Sequence, residues 1–486
     1  MKENNVLKFI DLFAGLGGIR LGFEQACQDL GIETACVLTS EIKPHAVQTL
    51  KYNHHHDNFV GDIFQVKTAD IPDFDFLFGG FPCQPFSASG KRQGFADTRG
   101  TLFFEIERII RDKQPQGFIL ENVEGLVKHD LENKHDAIGR TLKTILYKLE
   151  EELGYQVSWK VLDSVHFGVP QSRKRVFIVG TKDHKISLNS FESSYKVIKD
   201  VLEKGKKTMD TAFTKKLFAH FNVKELYGKS IKDKRGGENN IHSWDIGLKG
   251  ECSEAQINLL NRLFKERRKK QWASEIGIDW MDGMPLTLSQ IKSFYPTNNL
   301  FDTTDVKDLL EDLVNKGYLK FEHPKKLVSE NTEGGVVTSR VYDETKPKGY
   351  NIITGKLSFE VNKILDPNDI APTLVATDMV KIVVPDGDGI RRLTIREGLR
   401  IFGYPETYNI PVKETFAFDL LGNTVVVPVV KAISERILDV LDVLDVLDVS
   451  KQEELLEMEY AQPSFGQRKK ESCPFPLLRF YPNLAA

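Results

Sequence analysis

One thiol stands out as a chemical group in this sequence: Cys83, in Gly79-Gly80-Phe81-Pro82-Cys83-Gln84-Pro85-Phe86-Ser87, directly after the apolar run 74–78. The run reads as a buried strand that stops in a Gly/Pro turn and presents the thiol at its carboxyl end. In open α/β sheets that edge is where ligands bind. Thiolate is intrinsically nucleophilic and needs only modest activation. A free cysteine is also a common small core hydrophobe. The local pattern leaves these two readings level.

Three more motifs bear on the choice. In Phe118-Ile119-Leu120-Glu121-Asn122-Val123 a buried strand brings a carboxylate to the same edge. Such a carboxylate is costly unless paired or protonated, so Glu121 reads as an acid able to donate to a ring nitrogen. Pro170-Gln171-Ser172-Arg173-Lys174-Arg175 leads into a strand at 176–179. Alternation puts Arg173 and Arg175 on one side, where two cations can meet a phosphate or carbonyl oxygen. A surface basic cluster is the alternative. At the amino end, a strand at 6–12 runs into Phe13-Ala14-Gly15-Leu16-Gly17-Gly18, and helical spacing resumes over 19–26. Strand, glycine-rich turn and helix open a nucleotide-binding unit. A second strand at 34–39 ends in Ser40-Glu41, an acid suited to ribose hydroxyls. A third ends in Gly61-Asp62-Ile63, suited to an adenine edge and face. Taken singly, Glu41 and Asp62 also fit as helix caps.

Together these residues closely resemble the C5-cytosine-specific DNA methyltransferase family of bacterial restriction-modification type. The matching segments are Asp11-Leu12-Phe13-Ala14-Gly15-Leu16-Gly17-Gly18, Gly80-Phe81-Pro82-Cys83-Gln84, Glu121-Asn122-Val123 and Gln171-Ser172-Arg173-Lys174-Arg175. Arg392-Leu393-Thr394-Ile395-Arg396-Glu397, Phe402-Gly403-Tyr404-Pro405 and Gly422-Asn423-Thr424-Val425 follow in family order. The resemblance covers roughly residues 11–181 and 371–437. It implies an α/β fold: a doubly wound, mostly parallel sheet of the class I S-adenosylmethionine-dependent methyltransferase type, with a second, smaller target-recognition domain. The expected division is 1–181 for cofactor and nucleophile and 182–390 for base reading. Residues 391–437 would return to the catalytic domain, and the repeat and tail at 438–486 have no assigned role.

The resemblance also implies a mechanism. Cys83 adds to cytosine C6, so that C5 becomes enamine-like and attacks the methyl of S-adenosylmethionine. Glu121 holds and protonates the N3 side, while Arg173 holds the O2 side with Arg175 in support. Loss of the C5 proton and expulsion of Cys83 restore the ring. The cofactor pocket implied is Phe13, Gly15, Gly17, Gly18, Glu41, Asp62, Ile63, Pro82 and Asn423, with no metal. The base must leave the duplex, at roughly a few kcal/mol. The polar, glycine-hinged segment 87–100 reads as a lid over it. Gln84, Ser87, Lys91, Arg92, Arg99 and Thr373 are the expected DNA contacts, Thr373 supporting the flipped nucleotide.

Composition sets bounds only. The 486 residues are 41% hydrophobic and 28% charged, ample for two globular domains. A net charge of -3 makes any DNA-binding field local. Residues 181–280 hold 21 Lys+Arg against 14 Asp+Glu, with Trp244, Trp272 and Trp280 among them. The expected base reader lies here, although a charge run also suits a solvated helix face. Residues 305–321 read as a helix followed by a strand, a winged-helix fragment. Thr394 caps a helix at 394–402, and Gly422-Asn423 opens the last helix, 426–437. Five cysteines form no CxxC pair, and His54-His55-His56 reads as surface loop rather than metal site. No signal peptide and no bilayer-length apolar run is evident, so a cytoplasmic monomer with no membrane association is expected. Its partners would be double-stranded DNA and a separately acting restriction endonuclease. An RNA (tRNA) cytosine methyltransferase on the same core is the alternative enzyme. A non-catalytic DNA-binding module is the third reading, disfavoured by intact Cys83, Glu121 and Arg173.

Overall fold

Short apolar runs punctuated by Gly, Pro and Asp make a seven-stranded sheet. Its strands are β1 (Leu7–Leu12), β2 (Thr34–Ser40), β3 (Phe59–Val60), β4 (Phe76–Gly80), β5 (Gly117–Val123), β6 (Gln156–Asp163) and β7 (Lys174–Thr181). The computed structural model describes residues 6–54, 58–81, 102–233, 237, 239–295, 305–332, 335–354 and 359–441. Pro82, Cys83, Gln84, Ser87, Lys91, Arg92, Arg99 and the lid segment lie outside the described residues, as does 442–486.

The sheet order is β3-β2-β1-β4-β5-β7-β6, parallel except for β7, which runs antiparallel to both neighbours. The expected doubly wound α/β class is what the chain adopts. Helices α1 (Gly18–Asp29), α2 (Pro44–Asn53), α3 (Leu102–Lys113) and α4 (Arg140–Tyr147) connect the strands. The strands are buried on both faces, as parallel strands under helices must be. Phe9, Phe23, Phe76 and Phe78 pack ring to ring, and Ile10, Leu12, Leu77, Ile106 and Leu120 belong to a second cluster. Strand order reverses between β1 and β4, the crevice where open α/β sheets take ligands.

The chain then leaves this sheet. It builds α5 (Ala212–His220), β8 (Ser230–Ile231), β9 (Asn240–Ile241), α6 (Glu254–Glu266), α7 (Lys270–Ile276), α8 (Leu288–Phe294) and α9 (Val306–Asn315). The strands β10 (Leu319–Glu322), β11 (Lys325–Thr332), β12 (Gly335–Tyr342) and β13 (Gly349–Ile352) follow. After β14 (Lys363–Ile364), α10 (Ala376–Met379), β15 (Ile382–Asp386) and β16 (Gly389–Arg392), a second sheet is complete in the order β16-β15-β14-β8-β9. Two apolar clusters hold this region, one around Phe213, Ile231 and Val383, the other around Trp244, Leu263, Leu310 and Tyr350. Trp244 and Trp272 are core residues at 1% and 7% exposure, so only Trp280 of the three tryptophans faces solvent.

Helices α11 (Ile395–Ile401), α12 (Glu414–Asn423) and α13 (Val427–Val440) return to the first sheet. Thr394 caps α11 as its sequence suggests: Thr394 Oγ1 accepts from the Glu397 amide, and Glu397 accepts from the Thr394 amide. Glu397 also forms a fully buried two-pronged pair with Arg391, at 2.7 and 2.9 Å. One boundary differs from expectation. Gly422 and Asn423 close α12 instead of opening the last helix, because Thr424 is extended and breaks the helix there. The apolar stretch Glu414–Val440 is long and apolar enough to cross a membrane, but most of it is buried in the fold. By packing, the chain falls into a unit Met1–Ile437 and a short one, Leu438–Ala486.

Candidate active site

The carboxyl edge of β4 and β5 carries the acid. Gly80 is the register partner of Glu121, and a Cβ on Gly80 would lie 3.6 Å from Glu121 Oε2. Arg175, opposite Val123 on β7, donates from Nε to Glu121 Oε1 at 3.0 Å. Burial raises the Glu121 pKa; the Arg175 and then the Arg173 charge oppose that rise without cancelling it. Beside it Asn122 Nδ2 donates to the Phe81 carbonyl at 2.9 Å, which fixes the chain just before it leaves the described region.

Arg173 is placed differently from Arg175. It is 3% exposed, and its guanidinium donates to the carbonyls of Leu374 (3.0 Å) and Gly422 (3.2 Å) and lies over the Phe402 ring. Burial, and then the neighbouring Arg175 cation, lower its pKa to about 9, which leaves it charged at neutral pH. The alternation argument put both arginines on one face, yet only Arg175 makes an ion pair with Glu121 among the described contacts. Arg173 instead ties β7 to two segments some 200 residues away. Its Nε and the Gln171 Nε2 are buried donors with no hydrogen-bond partner among the described residues. Next to them Thr373 is exposed, its hydroxyl donating to the Ser172 carbonyl at 2.8 Å.

At the end of β1 the backbone turns left-handed three times, at Phe13 (φ 57°), Gly15 (φ 56°) and Gly17 (φ 65°). A phenylalanine in that region is strained, a mark of backbone held for a purpose. Glu41 latches the turn: its two oxygens accept from the amides of Gly15 and Lys43, both at 2.8 Å. Each carboxylate oxygen keeps a free lone pair for a hydroxyl. Gly18 has no room for a side chain, since a Cβ would sit 2.9 Å from Tyr404 Oη. Asp62 is exposed and caps a short turn by accepting from the Phe64 amide. Ile63 is in the core at 1% exposure, and the exposed apolar side chain at that turn is Phe64. Asn423 is exposed at the end of α12, its amide donating to Asp419.

The chain matches the family described as C-5 cytosine-specific DNA methylase over residues 7–439. It belongs to that family. Among its relatives, the type II methyltransferase M.NlaIV of Neisseria lactamica is 56% identical over 432 residues, 89% of this chain and 99% of that protein. M.NgoBV of Neisseria gonorrhoeae is 55% identical over the same length and shares. M.HgiCI of Herpetosiphon aurantiacus is 43% identical over 461 residues, 90% of this chain and 98% of that one. The chain is therefore a DNA cytosine-5 methyltransferase, and the RNA alternative is set aside.

For this DNA methylase the reading by motif missed two groups. Asp11 is 1% exposed at the end of β1, its Oδ2 without a hydrogen-bond partner among the described residues and its pKa raised by burial to about 7. An orphaned carboxylate beside the glycine turn fits a ligand that carries positive charge, as a sulfonium amino acid does. Tyr404 and Tyr408 both donate to the Leu16 carbonyl, at 3.3 and 2.7 Å, and Tyr404 also bonds Thr424. These contacts join the first and last catalytic segments. Asp11 and Tyr404 lie inside motifs that give neither of them a role, and Tyr408 lies outside any motif.

Proposed function

We propose that the enzyme methylates a cytosine flipped from a short duplex sequence by transient bonding of Cys83 to C6. The arrangement of Glu121 supports this most directly: a carboxyl held by Arg175 at the sheet edge, its pKa raised by burial. Cys83 is three residues beyond Gly80, a reach of at most about 10 Å, and Gly80 abuts Glu121. In this scheme Glu121 gives its proton to N3 as the thiolate adds to C6; once C5 is methylated its proton leaves to a base such as water, the Cys83 thiolate is expelled, and the N3 proton returns to Glu121. Arg175 takes the position nearest the acid, and hence the O2 side, while Arg173 holds β7 and the Thr373 loop in place.

The methyl donor is S-adenosylmethionine, which supplies an electrophilic methyl when bound. Phe13, Gly15, Gly17 and Gly18 would bring backbone to it. Glu41 would take the ribose and Asp62 the adenine edge, with Ile63 supporting that turn from inside; Asp11 would face the charged end. Pro82 and Asn423 complete the pocket in the family's pattern. Residues 182–390 read the target, and Gln84, Ser87, Lys91, Arg92, Arg99 and Thr373 hold the strand and the extruded nucleotide. The enzyme acts in the cytoplasm as a monomer, protecting host DNA from a separate restriction endonuclease, in keeping with its type II relatives.

Methylation-sensitive sequencing of DNA from a host expressing this chain tests the reading. The expected result is 5-methylcytosine within one short motif, lost in Cys83→Ala. Methylation that survives the substitution, or falls on adenine, contradicts it.

A further inference from the structure

We propose that residues 254–352 form a winged helix-turn-helix module, and that its hairpin wing, β11–β12, is the part that grips duplex DNA. The inference rests on the DNA methyltransferase reading above. The element order carries it. Leu286 pairs antiparallel with Tyr350 of β13 through two backbone hydrogen bonds, 2.8 and 3.1 Å, and β13 pairs with β10. A small three-strand arrangement therefore has the helices α8 and α9 inserted between its first and second members and the β11–β12 hairpin between its second and third. One apolar core joins α6, α8, α9 and these strands through Leu259, Leu263, Ile291, Leu310, Leu319 and Tyr350.

In helix-turn-helix proteins the second helix of the pair enters the major groove. Here that helix is α9, and its charge is wrong for the task. Residues 305–316 hold Asp305, Asp308, Glu311 and Asp312 against Lys307 and Lys316. Both lysines pair within the helix, with Glu311 and Asp312. A duplex presents one negative charge per about 1.7 Å, so this face is repelled.

The wing has the opposite character. It is a free two-stranded ribbon of eight paired residues per strand, roughly 26 Å long at about 3.3 Å per residue. A two-stranded ribbon fits the major groove. Its strands carry Lys325, Lys326 and Arg340 against one acid, Glu330, a net positive charge, with Lys326 also paired to Asp343 at the ribbon's base at 3.4 Å. Leu327, Val341 and Tyr342 are 56%, 41% and 48% exposed, and Ser329, Thr338 and Ser339 are exposed hydroxyls. Apolar groups for thymine methyls, hydroxyls for base edges and cations for phosphates are what a groove requires. The ribbon is also held at its base. Tyr342 donates to Glu322, Glu322 accepts from Asn351, and Asn351 accepts from the buried Arg267 at the end of α6. Lys346 ties the wing's exit to the carbonyl of Ile276 on α7.

The test uses the full chain and a duplex of about 30 base pairs carrying the sequence found methylated in an expressing host. Binding is measured against salt. The triple variant K325A/K326A/R340A is expected to bind at least about tenfold more weakly, with a salt slope smaller by about 3, one unit per lost phosphate contact. The α9 variant D308N/E311Q is expected to keep its affinity within about twofold and to methylate the same motif. Unchanged unfolding midpoints and S-adenosylmethionine binding establish that both variants fold. Wild-type affinity and slope in the wing variant would overturn the proposal, as would a changed motif in the α9 variant. So would a wing variant altered only in self-association. Methyl transfer by the wild type to the same duplex, measured alongside, tests the parent reading separately.

Discussion

In the proposed scheme Glu121 serves as the acid, because burial outweighs the cations beside it and raises its pKa. A raised carboxyl pKa keeps the proton to higher pH than an ordinary glutamate would. The turnover rate should thus hold through the usual carboxylate range and fall only above it, as the acid form is lost. Removing an opposing charge must move this limb further up: in Arg175→Ala the decline should begin at higher pH than in wild type. A shift downward would mean that Arg175 does not act on Glu121. Glu121→Gln should lower turnover by about 10²–10⁴ and abolish the limb, read from pre-steady-state methyl transfer across pH. Among the described cysteines, burial raises Cys27 to about 12 and Cys36 and Cys252 to about 11, so none of the three competes as a nucleophile at neutral pH.

At the scale of elements, one helix start and one strand end make measurable claims. Arg391, Glu397 and Asp386 form a buried ion network under the cap of α11, with the Glu203 amide and carbonyl bonded into it. Arg391→Leu strands two carboxylates, one fully buried, and should cost about 3–5 kcal/mol in urea unfolding. Thr394→Ala removes one cap acceptor and should cost about 1 kcal/mol. Equal losses would contradict the network's role. At β1, Asp11 is raised from 3.8 to about 7, so the folded state binds its proton more tightly than the unfolded state. The cofactor-free protein should lose stability as pH rises from about 4 to about 7, with no further change from this group above that. In Asp11→Asn that slope should vanish, checked by unfolding midpoints across the same window. Strand-end chemistry of this kind was readable from sequence, because a strand followed by a Gly/Pro turn is a local pattern, as at Gly80 and Glu121. The Thr394 cap was local too. Arg173 shows the limit: its partners at Leu374 and Gly422 lie 201 and 249 residues away, and no spacing rule reaches that far. Asn423 shows another, since α12 has a weak amphipathic pattern and the helix end there was mistaken for a beginning.

Over the whole molecule, the two ends of the catalytic chain meet at one carbonyl. Tyr404 and Tyr408, near the return of the chain, hold Leu16 in the first turn, and Gly18 packs against the Val425 carbonyl. The mostly parallel sheet is what the family resemblance implied, while its reversal between β1 and β4 comes from the structure. Of the proposed winged arrangement only the helix and strand within 305–321 were legible in sequence, since its first strand is the single residue Leu286 and its core depends on helices that sequence pattern could also assign to a solvated face. In the proposed mechanism these parts serve one transient bond, and trapping that bond tests the account most directly. A duplex with 5-fluorocytosine at the methylated position cannot lose fluorine as it would a proton, so the adduct should persist. With S-adenosylmethionine present, the account predicts a denaturant-resistant complex whose peptide mapping places the cross-link on Cys83, absent in Cys83→Ala. A protein that transfers methyl groups to ordinary duplex yet leaves no such complex, or is cross-linked at another residue, would contradict it.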